Sequence, residues 1–107
     1  MMLEKHNLFQ YLPANLPEEV FETLLQTANF RLERIVSHGQ CSADDFWYQQ
    51  SDREWVMVLQ GQARLAMASG ELIDLKAGDY LHLDAHIKHR VAWTDPTQQT
   101  IWLALHY

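Results

Sequence analysis

A chain of 107 residues, 48% apolar and 21% charged, has the make-up of one globular domain and not of a disordered segment. Its formal charge of -6, with eight scattered Lys and Arg, excludes the basic stripe that nucleic-acid binding needs. No apolar run is long enough to span a bilayer as a helix, which argues against a membrane partner. A single cysteine, Cys41, excludes an intramolecular disulfide. With no charged-then-apolar leader pattern at the N-terminus, it points to a cytoplasmic protein.

Residues 1–15 carry scattered apolar side chains, Leu8, Phe9, Tyr11 and Leu12, and read as a strap across the folded body. Asn15-Leu16-Pro17-Glu18 then has the form of a helix start. Asn15 can accept from orphan amides, Pro17 fits the first turn, and Glu18 stands at the capping-box position. Glu18, Glu19 and Glu22 suit the positive end of a helix dipole. Val20, Phe21, Leu24, Leu25 and Ala28 recur at helical spacing, so residues 17–28 are expected to form an amphipathic helix. Residues 1–28 would thus be a strap and helix packed on a β-domain of residues 29–107.

From Phe30 the period changes to two. Strand candidates are residues 30–33, 46–50, 55–60, 63–68, 72–75, 80–83, 89–94 and 100–107. Turn signals separate them, among them Ser37-His38-Gly39, Gln60-Gly61, Ala77-Gly78 and Asp95-Pro96. Short strands at this spacing predict an all-β fold, a small double-sheet barrel or jelly roll. Trp55–Leu59 and Ile101–Leu105 are apolar at both parities. One face of each can line an interior, and the other needs a cover, so a homodimer through a sheet face is expected.

Glu54 opens an apolar strand that ends at Gly61 after six intervening residues. Gly78 and His89 are separated by ten intervening residues, and His86 lies in the turn before His89. A carboxylate and two imidazoles on neighbouring strands of a small barrel suit a metal site. These residues resemble the two motifs of the cupin superfamily, specifically its small single-domain members. The first motif reads G-x5-H-x-H-x3 or x4-E-x6-G, and Glu54 to Gly61 matches its second half. The second reads G-x5-P-x-G-x2-H-x3-N. Asp84, His86 and Trp93 stand at its proline, glycine and asparagine positions. The likeness covers roughly residues 40–107 and implies the cupin barrel.

The two first-motif histidines are replaced. Tyr48 and Gln50 occupy their positions at the three-residue spacing, Trp47 and Gln49 at the four-residue spacing, and the first is preferred because Trp47 is a poor ligand. The resemblance implies a divalent ion (Zn, Fe, Ni or Mn) held by Glu54, His89 and His86, with Gln50 adding a carbonyl oxygen. Tyr48 would be the catalytic residue that orients substrate or moves a proton, and Trp93, with the strand parity of His89, would line the substrate pocket. The alternative is a non-catalytic small-molecule-binding cupin. In it, Tyr48, Gln50, Glu54 and His89 form a polar patch in an apolar pocket. Glu54 would then be satisfied by Tyr48 or His89. His82 is expected at the surface or in an interface, and His6, His38 and His106 are expected in solvent.

Overall fold

The structure, a computed structural model, describes residues 2–107. Alternating side chains from Arg31 onward build strands that hydrogen-bond into two antiparallel sheets. The strands are β1 (Val20–Gln26), β2 (Arg31–Ser37), β3 (Glu54–Gln60), β4 (Gln62–Met67), β5 (Leu72–Lys76), β6 (Tyr80–Leu83), β7 (His89–Thr94) and β8 (Thr100–His106). One sheet has the order β1-β2-β8-β3-β6 and the other β5-β4-β7. Ile35, Val56, Val58, Ala63, Leu65, Leu75, Leu83, Trp102 and Ala104 fill the space between them. On β2, β3 and β8 these belong to one parity, as a half-buried pleat requires.

The helix expected over residues 17–28 is absent, and there is no helix among the described residues. Val20–Gln26 instead pairs along β2 as an edge strand. The turn between them is closed by Thr27, whose amide donates to the Phe30 carbonyl (2.9 Å) and whose hydroxyl accepts from the Asn29 amide (3.1 Å). Val20, Phe21 and Thr23 favour an extended backbone, and pairing with β2 supplies hydrogen-bond partners along one edge. Two of the three glutamates that suited a helix dipole have sheet partners. Ser37 Oγ donates to Glu19 (2.9 Å), and Glu22 pairs with Arg34 (2.6 Å). The segment 46–50, also expected as a strand, makes only a single bridge, Tyr48 to His89.

The lead-in lies on the outer face of the five-stranded sheet. The buried Arg34 guanidinium donates to the carbonyls of Leu8 (3.0 Å) and Gln10 (2.8 Å). Gln99 and Gln40 donate to the carbonyls of Pro13 (2.7 Å) and Leu16 (2.6 Å).

Two irregularities position the interior. On β7, Val91 faces Leu65 while Trp93 faces Arg64, so Ala92 is an extra residue that breaks the alternation. Gly61 is the single residue between β3 and β4, where the chain passes from one sheet to the other, with φ +87°. A Cβ there would come within 2.7 Å of Thr100 Cα and 2.9 Å of the Gln99 carbonyl oxygen. Gly70 also has a positive φ (+97°), but open space surrounds it. Gly61→Ala is therefore expected to lower unfolding free energy by about 2–4 kcal/mol, and Gly70→Ala by about 1 kcal/mol. Urea denaturation of the two variants checks this, and equal losses would contradict the close approach at Gly61.

Candidate functional site

Strand register builds one wall of the site. Arg31 on β2 lies opposite His106 on β8, His106 opposite Glu54 on β3, and Glu54 opposite Leu83 on β6. All four line a cavity of about 180 Å³ between the sheets. The next residues of the same parity, Glu33, Ala104 and Val56, are followed by Ile35, Trp102 and Val58. The wall therefore runs from polar at the mouth to apolar inside.

The opposite wall supplies His89, at the start of β7, and Tyr48. Their backbones bond reciprocally, Tyr48 N to His89 O (2.7 Å) and His89 N to Tyr48 O (3.1 Å), and their rings stack. His89 Nδ1 donates to the Ile87 carbonyl (3.1 Å), which turns Nε2 toward Glu54 Oε1 at 3.5 Å. The other Glu54 oxygen is 3.9 Å from His106 Nε2, and that nitrogen is 2.8 Å from Glu33 Oε1. Glu33 Oε2 is 3.5 Å from Arg31 Nε. Both Glu54 and Glu33 have side chains only 12% exposed.

This crowding of charge in a half-dry space shifts protons. Burial opposes the charged form of His89, but the Glu54 carboxylate and the Ile87 carbonyl outweigh it and hold the imidazole above its ordinary value. Burial also raises the Tyr48 phenol, and the negative charges of Glu19, Glu54 and Glu33 raise it further. Glu19 is pushed up by burial, against the opposing bond from Ser37.

Four residues expected at the site, Tyr48, Gln50, Glu54 and His89, line the cavity together. His86 does not join them. It is exposed in its turn, with φ +67°, and its amide donates to the Gln50 carbonyl (2.7 Å). Trp93 also lies elsewhere, 41% exposed beside Arg64, because the extra residue Ala92 reverses the parity that would have aimed it inward. His106, expected in solvent, is buried in the wall. Glu33 and Arg31 also line the cavity and were not among the expected site residues. The signal that places them inward is Ile35, which shares their parity and lies in the core.

Among the described residues, no three His, Cys, Asp or Glu side chains converge as a metal ion requires. His106 Nε2 is engaged by Glu33, and the His86 ring is outside the cavity, so the groups present are arranged as two carboxylate–imidazole pairs. As folded, they do not fit a resident divalent ion.

Residues 34–106 match the family model described as a cupin domain. The chain belongs to the cupin family. A solved structure from Ralstonia eutropha JMP134, provisionally assigned as a mannose-6-phosphate isomerase, is 42% identical to this cupin. Each chain covers 97% of the other, with a TM-score of 0.93. A cupin superfamily protein from Desulfitobacterium hafniense DCB-2 is 18% identical over 89% of this chain and 82% of its own, with a TM-score of 0.73. An RmlC-like cupin from Methanocaldococcus jannaschii is 16% identical over 99% and 92%, with a TM-score of 0.70. The last two show the shared fold alone. No curated protein matches the sequence.

The raised His89 sets the sign of a pH test. A group whose folded value lies above its unfolded one contributes stability that is complete below the ordinary histidine value of about 6.5 and is lost as pH rises through the folded value. The melting temperature is therefore expected to rise as pH falls from about 8 to about 6, and Glu54→Gln is expected to flatten that slope. Thermal unfolding of both proteins across this window checks it. A site held together by a metal would show the opposite slope, since its ligands release the ion on protonation.

Proposed function

We propose that this cupin binds a small molecule in the cavity between its sheets, with Glu54 and His89 as the pair that contacts it and can exchange a proton with it. The observation that carries the reading is the approach of these two groups from opposite sheets, 3.5 Å apart, in a cavity that also has apolar walls of Ile35, Val56, Leu65 and Trp102. His89 is held by Ile87 and stacked on Tyr48, so it is oriented before any ligand arrives. Tyr48 and Gln50 add a phenol and an amide to the same wall.

The likeness to the Ralstonia protein brings phosphosugar isomerisation into view. Proton transfer between neighbouring carbons suits a carboxylate–imidazole pair. A phosphate suits the cavity less well. Arg31 is the one Lys or Arg lining it among the described residues, against Glu19, Glu33 and Glu54. The alternative reading, a metal-dependent enzyme, predicts near-stoichiometric Zn, Fe, Ni or Mn in untagged protein, lost in His89→Ala. We expect less than about a tenth of an equivalent, because the imidazoles are paired with carboxylates. Elemental analysis decides between the two readings. In parallel, a thermal-shift screen is expected to find ligands that raise the melting temperature of the native chain and not of His89→Ala. If every hit stabilises both proteins equally, the cavity is not the ligand site.

We also infer that a second copy covers the outer face of the five-stranded sheet. Trp55 pairs with Leu105, Met57 with Leu103 and Leu32 with Leu105, which makes a contiguous apolar patch that is only half-buried. Analytical ultracentrifugation is expected to give twice the monomer mass, and Met57→Lys to shift it to the monomer. A monomeric native chain would refute the pairing.

A further inference from the structure

The cavity carries a sign as well as a shape. Glu19, Glu33 and Glu54 line it against Arg31, and the phenol of Tyr48 is raised in part by those same three carboxylates. Both Glu54 oxygens are 3.5 Å or more from the nearest imidazole nitrogen, which leaves the carboxylate able to accept from a donor that enters. The His106 Nε2 that faces the site carboxylates is already engaged by Glu33 at 2.8 Å, so among these groups Glu54 is the acceptor left for a ligand. Three aromatic side chains, Phe21, Tyr48 and Trp102, line the same space. Aromatic rings attract cations through their negative faces.

We infer that the ligand is a small organic cation, a primary ammonium whose N–H groups meet Glu54 and whose alkyl part lies among the apolar and aromatic side chains deeper in the cavity. This rests on the cavity being the ligand site. The wall dictates the orientation. The polar row, Arg31–His106–Glu54, is at the mouth, and Ile35, Trp102 and Val56 are beyond it, so a head held by Glu54 stays at the rim, away from Glu19, which is bonded to Ser37 past Ile35 on β2. Carboxylates flanking an ammonium give charge-assisted hydrogen bonds, which are stronger than neutral ones. An anion entering the same space would meet three carboxylates in reduced dielectric, with Arg31 and the already paired His89 as the cationic groups to offset them.

The test is an NMR titration of the full chain at pH 7 and fixed ionic strength with four probes of similar size. They are propylammonium, 1-propanol, propionate and tetramethylammonium. Propylammonium is expected to shift the resonances of Tyr48, His89 and Trp102 with an affinity at least tenfold above that of 1-propanol. Propionate is expected to leave them unmoved. Glu54→Gln is expected to weaken propylammonium binding at least tenfold, and Glu33→Gln carries the same test if the first variant does not fold. Equal binding of 1-propanol, or a preference for propionate, overturns the cation assignment while the ligand site stands. Tetramethylammonium binding as tightly as propylammonium removes the part given to the N–H donors and overturns the primary ammonium. No shift with any probe overturns both the cation and the ligand site.

Discussion

Strand β8 sits between β2 and β3, and the site depends on that placement. Its register sets His106 between Arg31 and Glu54, in one row across three strands. A slip of one residue would send His106 outward with Trp102 and Ala104, and would bring the outer leucines 103 and 105 into the cavity. The core and the site are therefore specified by the same ladder. Trp102 and Ala104 hold the register by burial, and His106, two residues farther along the same face, is carried into place by them.

Carboxylates in a half-dry space are costly unless charge or hydrogen bonds compensate. This fold meets the requirement in pairs, Glu33 with His106 and Arg31, and Glu54 with His89. The pairing is uneven. Glu33 is close to its imidazole, while Glu54 lies loosely between two. Looseness of that kind is what a recognition group needs, because a fully satisfied carboxylate has nothing left to offer. Two imidazoles and two carboxylates thus meet in one cavity from opposite sheets, with each Nε2 nearest to a carboxylate.

Much of the fold was legible in the sequence. Period-two patterning from Arg31 onward and the turn residues between runs gave an all-β, two-sheet fold, and the Glu54-to-Gly61 and Gly78-to-His89 spacings pointed to the cupin family, which the domain match establishes. The N-terminal segment misled because Val20, Phe21, Leu24 and Leu25 fit a helical face as well as a bulged edge strand. Only pairing with the next strand, β2, decides between them, and periodicity within the segment does not report it. Trp93 misled through a single extra residue, Ala92, which no periodicity reveals. His106 was hidden by its place near the end of the last strand. Its companions Trp102 and Ala104 share its parity and were the available clue.

The strap is tethered in an instructive way. Arg34, Gln40 and Gln99 all grip it through main-chain oxygens, at Leu8, Gln10, Pro13 and Leu16. Those bonds read the path of the backbone and are blind to what hangs from it. The strap's exposed side chains can thus change, and with them the protein's outward face, while half-buried Leu8, Leu12 and Leu16 and the three gripping residues hold its course.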